Sequence, residues 1–589
     1  MSATPLSLAA DFPAATDAQW LKLVDKVLAG ADFDKKLVAR TYDGLALKPL
    51  YTRADWRADG DASGLPGGAP YTRGSTALGN TVSGWDIRQM HGGSDPAAIN
   101  KAILEDLERG VTSILLRAAG ADLDRALQGV MLDLAPVVLE SGPDGAEALL
   151  KLIAARGVRP SFAGNFGLDD IGGGRLDLAP SAALAARIAR DAPKARAFNV
   201  RGTVYHAAGA ADAQELGAAI AAAVAYLRAM TTVGMELDAA TRQIAFTLAA
   251  DADFFLTVAK FRAMRKLWAR VAEVCGAGGR TVPIAACTAS RMISRRDPWV
   301  NVLRTTVACF AAGIAGADAV TVLPFDGSDL ARRVARNIQI VLLEEASLAK
   351  VVDPAGGAWM FERLTDELAD KAWAFFQEIE RAGGMTSAFA MAMEKIAAVQ
   401  AERAKNIARR KDPITGVSEF PNIAEAAPAP AADTPAAGLA PVRLAEGFEH
   451  LRDLSDAFKA KTGQRPRVFL ANLGAVADFT ARATFAKNFF EAGGIEAIPG
   501  AGGGNPADMA RDLKHSGAAF AVICGTDAGY AESAVPIAKA LKEAGAKTLY
   551  LAGRPGELEA PLKAAGIDEF IFMGCDLLGA LERSHRKLG

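Results

Sequence analysis

Few residues of this chain have the types and spacing that chemistry requires. The five cysteines, Cys275, Cys287, Cys309, Cys524 and Cys575, are scattered, with no Cys-x-x-Cys pair and no histidine at ligand spacing. That pattern argues against a structural zinc site and for a reducing compartment. Asp169-Asp170 and Glu344-Glu345 are adjacent carboxylates suited to metal binding or acid–base work, but without a partnered histidine they read as solvated faces. Pro499-Gly-Ala-Gly-Gly-Gly-Asn-Pro506 has the glycine content of a phosphate cradle and lacks the Gly-Lys-Ser/Thr signature, so it reads as a loop. Phe254, Phe255, Phe261 and Trp268 recur at helical spacing and read as core.

The elements that must position such residues follow from hydrophobic period. Between about 85 and 350 short apolar runs alternate with longer helical ones. Strands are predicted at 84–89, 112–117, 136–139, 161–166, 197–200, 243–247, 282–287 and 319–323. Helices are predicted between them, among them 96–108, 146–156, 213–230 and 298–312. Eight β-then-α units with right-handed crossovers favour a closed (β/α)8 TIM barrel, with an open doubly wound sheet as the competitor. A helix from Ala18 closed by Gly30, then an extended stretch to Arg53, form an N-terminal arm over 1–60 that packs on its own barrel or on a partner. The barrel with a helical extension occupies 61–410, an extended Ala/Pro-rich linker 411–460, and a flavodoxin-like doubly wound domain 461–589. Strands in that last domain are predicted at 467–470, 519–524, 548–552 and 569–573.

Composition sets the class. At 589 residues, 51% hydrophobic and 23% charged, the chain has the make-up of a soluble protein of more than one domain. A net charge of −2 gives no electrostatic case for nucleic acid or an anionic membrane. The N-terminus lacks the basic flank and apolar run of a signal peptide, and apolar stretches such as 218–225 are too short to span a bilayer. A cytoplasmic protein is expected.

Several segments together carry a family resemblance. They are Leu37-Val-Ala-Arg-Thr-Tyr-Asp-Gly-Leu-Ala-Leu-Lys-Pro-Leu-Tyr51, Pro70-Tyr-Thr-Arg-Gly74, Trp85-Asp-Ile-Arg-Gln89, the 249–267 segment, Asp297-Pro-Trp-Val-Asn-Val-Leu-Arg-Thr-Thr306, Ala335-Arg-Asn-Ile-Gln339 and Val352-Asp-Pro-Ala-Gly-Gly357. In this order they resemble the adenosylcobalamin-dependent acyl-CoA mutases, methylmalonyl-CoA mutase in particular, and within it the small (beta) subunit of the bacterial heterodimeric enzyme. The resemblance implies a barrel whose C-terminal face meets a cobalamin-binding-type domain, with the CoA tail along the barrel axis. It also implies radical isomerisation of an acyl-CoA, for which the protein holds the cofactor and polarises the thioester.

Position by position, the residues that such chemistry needs are missing. The family's substrate-side Tyr, six residues after Gly74, is Asn80 here. The His that polarises the thioester carbonyl falls on Val204, which cannot donate a hydrogen bond. His206 lies two positions on; along a strand end that is a shift of roughly 6–7 Å, so it reads as a structural, hydrogen-bonded histidine. In the turn Arg467-Val-Phe-Leu-Ala-Asn-Leu-Gly-Ala-Val-Ala-Asp-Phe-Thr-Ala481 the family's Asp-x-His-x-x-Gly becomes Val476, Asp478 and Ala481, and an upstream Lys becomes Asn472. The cobalt ligand and the group that orients it are both lost. No catalytic, cofactor or metal residue is therefore expected in this chain.

The resemblance implies a non-catalytic small subunit that stabilises a homologous large subunit, which binds adenosylcobalamin and the acyl-CoA. The alternative is an active acyl-CoA mutase of altered substrate with cobalamin bound without a protein His ligand. A third reading is a free-standing CoA-binding protein that keeps only the tunnel.

Overall fold

The computed structural model describes residues 13, 15–56, 63–426 and 439–588. Eight parallel strands close into a barrel: β1 (Asp86–Gly92), β2 (Ser113–Arg117), β3 (Val137–Leu139), β4 (Asn165–Leu168), β5 (Arg196–Arg201), β6 (Ile244–Ala250), β7 (Ile284–Thr288) and β8 (Ala319–Thr321), which pairs back onto β1. All eight predicted strands are present, with their ends shifted by a few residues. β6 is buried at every position, as expected for a parallel strand covered on both faces.

The helices show why these sequences fold locally. Asp95 caps Pro96–Glu108 with proline in its first turn. Asp253 caps Phe254–Cys275, and Gly276 ends it at φ 81°, a conformation that only glycine adopts freely. The helix Asp212–Thr232 is Ala-rich and buried nearly all round, so small side chains let it pack closely against Trp359–Arg381. Within the aromatic stripe, Phe261 and Trp268 are core, but Phe255 is 43% exposed at the helix start.

A second sheet is all parallel, in the order β10-β9-β11-β12-β13, with β9 (Arg467–Asn472), β10 (Glu496–Pro499), β11 (Phe520–Cys524), β12 (Thr548–Ala552) and β13 (Glu569–Ile571). β10 carries no prediction from sequence: it is short, half-buried and ends in Pro499. The expected linker needs correction. Its stretch 427–438 lies outside the described residues, but 446–462 is a helix whose Phe448 and Leu451 are buried in the core of this second sheet. Ile414 and Val417 join the same core, so 411–420 is docked chain rather than spacer. Arg296, fully buried, holds Asp453 and Asp456 of that helix at 2.7 Å each and ties the sheet domain to the β7 side of the barrel.

The arm divides in two. Around a two-stranded hairpin, residues 42–45 clasp the chain's own barrel: Ala213 N donates to Asp43 Oδ1 at 2.8 Å, and Leu45 is buried. The helix Asp17–Leu28 has no buried residue, and its Leu23 and Val27 are 65% and 84% exposed.

Candidate functional site

Beyond β5 the chain turns at once into the short helix Gly202–Ala207. This corrects the strand-end geometry expected for Val204 and His206. Two residues along a helix point to opposite sides, so His206 does not share Val204's face. Val204 packs on the barrel core. His206 is buried, its Nε2 3.2 Å from Asp251 Oδ2 but poorly aligned for a straight hydrogen bond. Arg291 donates to the carbonyls of His206 and Ala210 and lies 3.1 Å from the same carboxylate.

A charged network continues behind it. Lys260 Nζ, with no exposure, lies 2.8 Å from Asp212 and 2.7 Å from Glu215. Glu215 also accepts from Ala249 N at 2.7 Å. Burial and the neighbouring Arg291 lower the pKa of His206, so its ring is neutral at pH 7. Burial would raise Asp251, but His206 and Arg291 hold it well below the usual carboxylate range. Burial likewise opposes the Lys260 ammonium, which Asp212 and Glu215 nonetheless raise above its ordinary value. Burial and the nearby Asp212 push Asp43 up to about 7.

Ligand atoms of His206, Asp212 and Glu215 lie within 4.8 Å of one another, a spacing that could hold a metal ion. The ammonium of Lys260 already supplies the cation these carboxylates need. The cluster is a largely buried ion-pair network in which each charge faces an opposite one.

Asn80 lies at the other end of the barrel. Its Nδ2 donates to Ala317 O at 2.8 Å, just before β8 begins. Arg265 fixes the same end by donating to the carbonyls of Thr72 and Ala315. The structure therefore does not bring Asn80 and Val204 together. Between them neighbouring strands pair polar side chains: Arg88 donates to Ser113 Oγ at 3.0 Å, and Thr247 to Asn199 Oδ1 at 2.8 Å. Nearer the C-terminal mouth, Arg117 pairs with Glu140 at 2.7 Å.

The acidic pair Asp169-Asp170 is another correction, since both residues are buried rather than solvated. Asp169 accepts from Tyr226 OH at 2.8 Å and Arg201 Nε at 2.9 Å; Asp170 pairs with Arg175. The partners of Asp169, 32 and 57 residues off in sequence, made its burial invisible. Glu344 and Glu345 are exposed, as expected.

In the second sheet the turn after β9 does not fit a cobalt ligand set. Asp478 Oδ2 accepts from Ala475 N at 2.9 Å and caps its own helix, Val476–Ala492. Val476 is 69% exposed. Asn472 Nδ2 donates to Gly500 O at 2.9 Å. The turn itself carries no histidine in the sequence; His515 ends the helix before β11, and His585 contacts Gly493 O ahead of β10. The glycine run is an exposed loop whose Gly503 bridges back to Gly474.

Sequence reasoning missed Lys260, Asp251, Arg291 and Asp43 as one network. The available signal was Lys260 between Val258-Ala259 and Phe261 on a helix, where a charge flanked by apolar residues must find a buried partner.

The sequence profile of the family described as methylmalonyl-CoA mutase matches residues 40–128 and 179–463. The chain belongs to this family. It is 48% identical to the methylmalonyl-CoA mutase small subunit of Streptomyces virginiae, over 99% of this chain and 98% of that protein. Identity to the small subunit of Propionibacterium freudenreichii subsp. shermanii is 40%, over 100% and 97%. Identity to the methylmalonyl-CoA mutase of Cereibacter sphaeroides is 30%, over 68% and 64%.

Proposed function

We propose that this chain is the non-catalytic small subunit of a methylmalonyl-CoA mutase, the enzyme that interconverts methylmalonyl-CoA and succinyl-CoA. It pairs with a homologous large subunit that binds adenosylcobalamin and the acyl-CoA, and it stabilises that subunit in the cytoplasm. The observation that carries this reading is that positions needed for chemistry serve the fold instead. Asp478 caps a helix, Asn472 braces the Gly500 turn, and Val204 packs on the core. The order β10-β9-β11-β12-β13 supports a flavodoxin-like domain of cobalamin-binding type that has lost its ligand set.

Surface features support a partner. The helix Asp17–Leu28 has no fully buried residue and leaves Leu23 and Val27 exposed, and Trp299, Leu303 and Val307 line one exposed stripe at i, i+4 and i+8. The names of the relatives, small subunits, point the same way. The polar pairing between neighbouring barrel strands weighs against a free-standing CoA-binding protein.

The test is co-expression with a homologous large subunit, followed by size-exclusion chromatography and an isomerase assay. One-to-one co-elution is expected, with activity only when the large subunit is present. Isomerisation by this chain alone with added adenosylcobalamin would overturn the proposal and favour the active mutase with a His-free cobalamin.

A further inference from the structure

A cleft between the helix Phe389–Ala408 and the second-sheet domain concentrates charge that the reading above does not use. It encloses about 530 Å3 and is lined by Glu402, Lys405, Asn406, Arg409, Arg410 and Lys411, with Met573-Gly574 opposite. Four cations there face one carboxylate. Lys405, Arg409 and Lys411 have no ion-pair partner among the described residues, and Lys405 and Arg409 stand one turn apart on the same helical face, where like charges repel.

Arg410 distinguishes this cleft from an ordinary basic surface. Its side chain is 4% exposed, sits over the Phe485 ring at 5.1 Å, and has one acidic neighbour, Glu419, at 3.3 Å. Its backbone is left-handed at φ 53°, a strained state for a non-glycine residue. Loose lysines around a buried guanidinium are the chemistry of phosphate recognition, in which the fork binds two oxygens and the ammonium groups add charge. The volume is that of a small-molecule pocket, and walls from two domains leave room for a compact ligand rather than a chain segment.

We propose that this cleft binds a small polyphosphate-bearing molecule, with Lys405, Arg409, Arg410 and Lys411 as its anion-binding residues, clamping the second-sheet domain to the barrel's helical extension. The inference is independent of the subunit assignment. A ligand there would bridge Arg410 and Met573 and raise the stability of the docked arrangement by mass action.

Titration calorimetry of the full chain with inorganic pyrophosphate and with ATP tests the proposal, with polyglutamate as the control polyanion. Saturable one-to-one binding of pyrophosphate or ATP is expected, and no saturable polyglutamate binding. The double substitution Lys405→Gln with Lys411→Gln should weaken binding roughly tenfold or more, given two lost charge-assisted contacts. Lys459→Gln with Lys461→Gln removes the same charge outside the cleft and should leave affinity unchanged. Thermal midpoints without ligand verify that both variants fold. No saturable phosphate binding, equal loss in both variants, or tighter binding of polyglutamate would each overturn the proposal, the last by marking an acidic-protein contact.

Discussion

Replacing Lys260 with methionine tests whether the network behind His206 is a structural clamp. The substitution keeps the stem and deletes a charge with no exposure, held at 2.8 Å from Asp212 and 2.7 Å from Glu215. The buried Glu215 and the largely buried Asp212 then lose their shared cation, and breaking a buried pair in this way costs about 3–5 kcal/mol. For a domain of this size that is a fall of roughly 10 °C in the thermal midpoint. Urea unfolding followed by the buried Trp85 and Trp268 isolates the barrel. The loss should be largest near pH 8. Crowding raises the carboxyl pKa values in the folded variant, so protonation at lower pH restores stability, and the deficit should shrink toward pH 5. The vacated site keeps His206, Asp212 and Glu215 within 4.8 Å, so zinc at about a hundredfold excess over its Kd should return about 2.7 kcal/mol. A cost below about 1 kcal/mol, the scale of a surface pair, with no response to zinc would refute the reasoning.

Three further outcomes follow from the same structure. Between the ordinary carboxylate value of 3.8 and about 7, folded Asp43 keeps a proton that the unfolded chain releases, so its stabilising share is lost as pH rises through about 7. The arm should therefore be cut by chymotrypsin faster at pH 8 than at pH 5.5 after correction for protease activity. Asp43→Asn, which still accepts from Ala213 N, should abolish the difference; an unchanged ratio sinks the idea. Arg296→Ala removes the bridge to Asp453 and Asp456 and should loosen the second-sheet domain by about 2–3 kcal/mol, read as earlier release of that domain by limited proteolysis. Val204→His should confer no isomerase activity and no cobalamin spectral change on the chain alone, because the turn after β9 still lacks an imidazole; a base-on spectrum would contradict this.

Much of the architecture was legible because its signals are local. Eight apolar runs of strand length, separated by helix-period stretches, carry the barrel, since crossover handedness leaves few other closures. That the turn after β9 carries no histidine is legible too, because a residue's identity is a local fact. The signal failed where it depended on distant partners. Asp169 looks like any exposed acidic residue until Tyr226 and Arg201 bond to it. The helix 446–462 was hidden beside an Ala/Pro-rich stretch, and only packing of Phe448 and Leu451 shows it to be core.

Residue chemistry by itself determined what two positions offer: the valine at 204 donates no hydrogen bond, and the turn after β9 carries no histidine. Tertiary structure alone decided what the remaining polar groups do instead. The pairing of Lys260 with Asp212 and Glu215 depends on which strand ends and helices the closed barrel brings within 3 Å. The helical turn that faces His206 away from Val204 likewise appears only in the folded chain. Sequence spacing records neither, because a buried charge is placed by its partner and not by its neighbours along the chain.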